Sequence, residues 1–255
     1  MLDKLKKNQF LFEELVKRDF KQKYKRTSLG MLWSLLSPLL TLLVLQLVFG
    51  TFFSKDTPYF TVYMFAGVIV MTYYKEATKG GMSALMSNAK IFTKINVPKY
   101  LFVFSKNVSA LINFGLTLVL FLLLCLIYQL PITPRFLCLF YPAVCLLVMN
   151  IGIGMILSAC YIFFRDVQYL YDVFLTLLNY VSAIFYTVDR FPQQYQFVFM
   201  CNPVYVYIKY FRIIAIDGNI PSLAYHGLCA FYALLFLGIG CWFYKHYNHQ
   251  FLYYV

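Results

Sequence analysis

Four cations near the head of this chain stand in an order that suits anions. Arg18, Lys23, Lys25 and Arg26 precede an uncharged run that begins at Met31. Lysine supplies a point charge and arginine a two-pronged donor, and both match phosphate oxygens. Two readings of Lys23, Lys25 and Arg26 stand level: contact with a phosphate-bearing ligand, or anchoring to anionic lipid heads at about 1 kcal/mol per residue. His246 and His249 lie three apart, at metal-ligand spacing, but no further ligand is near and no metal site is expected. The sequence has no G-x-x-x-x-G-K-[ST], so it is not expected to bind ATP through a P-loop of its own, and it has no H-E-x-x-H, no G-x-S-x-G and no paired-carboxylate motif. With 10 acids in the chain, an ion relay has little to work with. Asp172 stands well inside an apolar segment and reads as a partner for Arg165, Lys106 or backbone near the membrane rim.

The elements that would carry these residues belong to a membrane. The chain is 62% hydrophobic and 13% charged, against about 25% charge in soluble domains. Its net charge of +12 raises the question of nucleic acid, but the cations cluster at the ends of apolar runs, so no nucleic-acid partner is expected. The charged stretch before Met31 runs without a loop into the apolar one and reads as a retained segment, not a cleavable leader. The seven cysteines lie mostly in apolar runs and read as small packing residues.

Six segments read as spans: 31–53, 59–78, 101–128, 136–164, 167–188 and 223–244. The first holds 23 uncharged residues, roughly 35 Å of helix against a bilayer core of about 30 Å. The second and fifth each carry a charge within their range. A cytoplasmic N-terminus puts 17 Lys and Arg on the inner side and five on the outer, so both termini are expected to be cytoplasmic.

Three pieces do not span. Residues 8–26 read as an amphipathic interface helix, with Phe12, Val16, Phe20 and Tyr24 on one side beside Leu11 and Leu15, and with Glu14, Arg18, Lys21 and Lys25 opposite. Asp19 and Lys23 interrupt the apolar side and are spaced to pair. In the loop 82–97, Leu85, Met86, Ala89, Phe92 and Ile95 form an apolar stripe, with Lys90 and Lys94 off it, and Pro98 follows. In 189–222, Pro192, Pro203 and Pro221 divide an apolar stretch into two helices too short to span. The fold class is therefore an all-α membrane protein forming one domain over 1–255, with six transmembrane helices, an interface helix and two short re-entrant extracellular helices between spans five and six.

Four local patterns recur in order: Arg18-Asp19, Tyr24, Leu29-Gly30-x-x-Trp33 and Pro38; Asn88, Lys94 and Val97-Pro98-Lys99; Arg165-Asp166-Val167; and Asn202-Pro203 with Arg212. Together they resemble the permease subunit of ABC-2 type exporters, in the branch that moves O-antigen, teichoic acid or capsular polysaccharide. Ala183 departs from the family's usual proline and gives no ground for a kink in span five.

The resemblance implies a homodimer in the bacterial cytoplasmic membrane, served by two copies of a separate P-loop ATPase that binds the ATP and Mg. No cofactor is implied on this chain. It further implies a lipid head-group entrance at Arg18, Lys23, Lys25, Arg26 and Trp33. An ATPase-coupling loop is implied at Asn88, Ala89, Lys90, Phe92 and Lys94. An extracellular gate is implied at Pro192, Asn202, Pro203 and Arg212. The substrate it implies is an undecaprenyl-linked glycan. Sugar C–H faces stack on aromatic rings, which makes Tyr63, Tyr73, Tyr74, Phe174, Tyr180, Phe185 and Tyr186 candidate channel residues; aromatic belts at the membrane interface account for the same residues. A type-2 permease for a drug or small lipid would share this topology. A membrane transferase would need a cluster of catalytic acids or histidines, and none is visible.

Overall fold

The computed structural model describes residues 8–25, 27–53, 59–248, 250–252 and 254. Arg26 and His249 lie outside them. Among the described residues every regular element is helical, in the order α1 (Gln9–Tyr24), α2 (Trp33–Phe53), α3 (Phe60–Ser87), α4 (Ala89–Phe92), α5 (Tyr100–Ile127), α6 (Phe140–Phe163), α7 (Val167–Val181), α8 (Gln193–Met200), α9 (Pro203–Ala215) and α10 (Leu223–Tyr247), with short 3-10 turns between some of them.

Among the described residues, four stretches are long and apolar enough to cross a membrane: Gly30–Thr51, Tyr100–Ile127, Pro134–Phe163 and Leu223–Tyr247. The other two segments read as spans behave differently. Helix α3 has 28 residues, ample length at 1.5 Å per residue, but it is the central helix. Val62, Met64, Phe65, Ala66, Ile69 and Val70 are all buried by protein. A helix shielded in this way tolerates Thr72, Tyr73, Lys75 and Glu76, which a lipid-facing helix would not.

Helix α7 is shorter than the 167–188 reading. It has 15 residues and ends at Val181. Ala183 then takes a left-handed conformation, φ 50°, and breaks the helix without a proline. The carbonyls freed by this unwinding are used by another helix, as described below.

Helix α1 does not run straight into α2. Lys25 is extended, and Gly30 adopts φ 53°, a conformation open to glycine at little cost, before a 3-10 turn, Gly30–Leu32, leads into α2. This turn lets α1 fold back across α5, with Leu15, Asp19 and Tyr24 buried. Glu14, Arg18, Lys21 and Lys25 are exposed, as the periodicity predicts.

Two glycine crossings set the helix spacing. A Cβ on Gly152 of α6 would lie 2.4 Å from the Phe236 backbone on α10, and one on Gly81 of α3 would lie 2.7 Å from Gly154 Cα. Small residues let backbones approach in this way where lipid supplies no hydrophobic drive between helices.

Candidate functional site

The last turns of α1 close over α3 and α5 through polar contacts. Lys23 Nζ lies 2.7 Å from Glu76 Oε2 on α3. Glu76 Oε1 accepts from Asn113 Nδ2 on α5 at 2.6 Å. Asn113 Oδ1 accepts in turn from the buried Tyr24 hydroxyl at 2.7 Å. One turn earlier, the buried Asp19 carboxylate sits 3.0 Å from Lys106 Nζ and 2.8 Å from Arg18 Nη2. Asp19 therefore does not pair with Lys23, as their four-residue spacing predicts. It faces α5 with the apolar side of α1, where Lys106 meets it.

Beneath this lid lies a cavity of about 370 Å³. Its wall is formed by Lys23, Tyr24 and Thr27; by Trp33, Ser34, Ser37 and Pro38; by Thr72, Tyr73 and Glu76; and by Asn113, Phe114 and Thr117. A second, more polar cavity of about 290 Å³ is walled by Asp19, Gln22, Gly80, Ser83, Ser87, Lys106 and Ser109, together with Lys23 and Glu76 again. Of the residues read as a head-group entrance, Lys23 and Trp33 meet here. Lys25 is exposed at the end of α1 and does not line the cavity. Arg18 is engaged elsewhere: its Nη2 donates to Asn88 Oδ1 at 2.7 Å as well as to Asp19.

Asn88 joins α3 to the short helix α4. Its Nδ2 donates to the Ala84 carbonyl at 2.8 Å, so Arg18 ties α1 to the loop read as the coupling segment. The apolar stripe predicted there splits. Leu85 and Phe92 are buried, while Ile95 is 48% exposed beside exposed Lys90 and Lys94. Phe92 packs on Phe102. Lys99 sits over the Phe92 and Phe251 rings and donates to the Asn248 carbonyl. Burial pushes its ammonium below the usual lysine range.

At the far end, α9 is held by two residues. Asn202 caps it, its Oδ1 accepting from Val204 N at 3.0 Å and Tyr205 N at 3.5 Å, with Pro203 at the first helical position. The Asn202 Nδ2 donates to Ser182 Oγ at 3.0 Å. Buried Arg212 donates to the carbonyls of Tyr63 (3.2 Å), Ala183 (2.9 Å) and Ile184 (3.0 Å). The break after α7 thus supplies the carbonyls that satisfy a buried guanidinium. Pro192, at the start of α8, is exposed.

The aromatic residues read as one channel lining fall in separate places. Tyr63, Tyr180, Phe185 and Tyr186 gather at the Arg212 end: Tyr63 donates to the Tyr186 carbonyl at 2.9 Å, Phe185 stacks on Phe49 at 4.5 Å, and Tyr180 meets Phe185 edge-on. Tyr73 stacks on Phe114 in the wall of the larger cavity. Tyr74 is buried and Phe174 lies on the exposed face of α7. Asp172 pairs with Lys79 at 2.6 Å, not with Arg165 or Lys106. Glu76, Lys106 and Asn113 stand in no motif that marks these roles. The signal was an acid near the end of an apolar segment, which needs a partner.

The match to known proteins decides the family. Residues 11–216 match the ABC-2 type transporter family. The chain belongs to that family. As an ABC-2 type transporter with several long apolar helices, it is a multi-pass membrane transport subunit. Among its relatives is the O-antigen export system permease protein RfbA of Myxococcus xanthus, 28% identical over 83% of this chain and 82% of the relative. The protein of the same name from Klebsiella pneumoniae is 23% identical over 91% and 90%. The polysialic acid transport protein KpsM of Escherichia coli is 24% identical over 91% and 92%.

Proposed function

We propose that this ABC-2 type chain is the permease subunit of an exporter that moves a lipid-linked polysaccharide across the bacterial cytoplasmic membrane. Two copies of the chain form the path, and two copies of a P-loop ATPase bind ATP and Mg and drive it. Both termini are cytoplasmic. Six passes cross the membrane, with α3 shielded by protein and α7 burying one face, Tyr171, Leu175 and Leu178, and α8 and α9 closing the outer end.

One observation carries this reading. Relatives similar over four fifths or more of both chains are named for export of O-antigen and of polysialic acid. Two different polymers served by one architecture favour a path that reads glycan in general. The geometry is consistent with it. The cavity under α1 combines a lysine with Trp33 and Tyr73, suiting a phosphate beside a sugar. The exposed Lys90, Lys94 and Ile95 offer a basic and apolar patch for an ATPase subunit, bound to α1 through Arg18 and Asn88.

The test is ATP hydrolysis by the permease reconstituted with its ATPase in liposomes. Undecaprenyl-linked glycan should stimulate it and hydrophobic drugs should not. Stimulation by drugs alone would instead assign the chain to small-molecule export.

A further inference from the structure

The Lys23–Glu76 ion pair stands where the two cavities meet. Both side chains belong to both walls. On one side lie Trp33, Pro38 and Phe114, mostly apolar. On the other lie Lys106 and the hydroxyls of Ser83, Ser87 and Ser109. A long amphiphile would match this order, tail on the first side and polar head on the second. Yet Lys23 is already paired, and its carboxylate partner leaves the larger cavity without net charge.

We propose that the pair is a latch: a phosphate group on an apolar tail binds Lys23 by displacing the Glu76 carboxylate, and this joins the two cavities. The ligand class rests on the export reading above; the exchange itself rests on geometry. The side chains of Lys23 and Glu76 are 40% and 27% exposed. Ion pairs that open to water are weak and screened by salt, so a more highly charged anion displaces a single carboxylate. Glu76 also has a second anchor. Asn113 Nδ2 donates to it at 2.6 Å, and Asn113 is itself held by Tyr24. When Lys23 leaves, neither Glu76 nor Tyr24 loses its remaining partner. The resting pair thus excludes phosphate-free lipids that cannot compete for Lys23, a form of selection by an internal rival.

The test uses the full chain in liposomes. Its two tryptophans are Trp33 and Trp242. Trp242 stacks on His246, outside the cavity, so W242F leaves Trp33 as the sole indole reporter. Undecaprenyl diphosphate is titrated against Trp33 emission, with undecaprenol and inorganic pyrophosphate as the other arms. The diphosphate lipid should shift the emission, and neither other arm should at equal concentration. Glu76→Gln, which keeps its bond from Asn113, should lower the half-saturating concentration about tenfold, equivalent to about 1.4 kcal/mol. Lys23→Gln should abolish the response. An unchanged or raised half-saturation in Glu76→Gln overturns the latch. A response to undecaprenol equal to that of the diphosphate overturns the phosphate, and an equal response to pyrophosphate overturns the tail. If Glu76→Gln does not reconstitute, the double variant K23Q/E76Q, neutral like the native pair, should lose the response; a native response from it would overturn the proposal. Glycan-stimulated ATP hydrolysis is read separately, so failure of the export reading leaves the binding comparison standing, and the converse.

Discussion

The guanidinium carbon of Arg212 lies 3.4 Å from the ring centroid of Tyr63. The same group donates to the Tyr63 carbonyl and to the two carbonyls released by the break after Val181. One side chain of α9 thus fastens α9 to α3 and to the end of α7. Lysine cannot reproduce a flat stack with a forked donor. Each buried carbonyl left without a donor costs about 1–3 kcal/mol. Arg212→Lys should therefore lower stability by about 2 kcal/mol and Arg212→Ala by more, read as denaturant unfolding of the purified protein. A wild-type unfolding curve for Arg212→Lys would show that charge alone holds the clamp.

Arg18 and Asn88 are 70 residues apart in sequence and bonded at 2.7 Å. If the loop around α4 receives the motion of an ATPase, this bond passes it to α1. Arg18→Ala and Asn88→Ala should each leave ATP hydrolysis running while the glycan moved per ATP falls. In a double-mutant cycle on stability their coupling should be about 1 kcal/mol, within the range for directly bonded residues. Additive losses would mean that the bond carries nothing between them.

Asp19 has its carboxylate 2% exposed between Lys106 and Arg18. Removing one partner of a buried pair costs about 3–5 kcal/mol because the other charge is left behind. Lys106 is only partly buried, so the lower end applies. Asp19→Asn should loosen α1 from α5 without unfolding the bundle. Trypsin should then cut at Lys17 and Lys21 faster than in the native protein, while the spans stay intact. Equal cutting rates would show that Tyr24 and Leu15 hold α1 unaided.

Much of this architecture could be read from residue patterns, and the parts that could not have a common cause. The periodicity of Phe12, Val16, Phe20 and Tyr24 gave the sided helix α1, and Asn202-Pro203 gave the start of α9, because each depends on neighbours within one helix turn. The end of α7 was misread by seven residues, 188 against 181. Ala183 breaks it, and the carbonyls this frees are satisfied by Arg212, 28 and 29 residues away in sequence, which no local rule announces. The partners of Lys23 and Asp19 were misread for the same reason. Spacing within α1 favours pairing the two with each other, and the tertiary packing offers Glu76 and Lys106 instead. The aromatic residues were grouped by type, whereas their places depend on which helix face meets protein.

The glycine crossing of α6 and α10 makes a final prediction with its own control on the same helix. A methyl group on Gly152 would lie 2.4 Å from backbone atoms of Phe236 and Leu237, and one on Gly240 would lie 2.6 Å from the Gly152 carbonyl oxygen. Backbone cannot move aside as a flexible side chain can, so the two helices must separate. Nothing lies within 4 Å of the corresponding position on Gly238. There, alanine gains helix propensity worth up to about 1 kcal/mol at no steric cost. Gly152→Ala should thus sharply reduce the yield of monodisperse protein extracted from membranes, and Gly240→Ala should do so nearly as much. Gly238→Ala should match or exceed the native melting temperature. Equal yields from all three would mean that α6 and α10 pack less closely than these distances state. The ordering matters more than the magnitude, because helix propensity alone predicts that all three alanines stabilise, and only the crossing predicts that two of them do not.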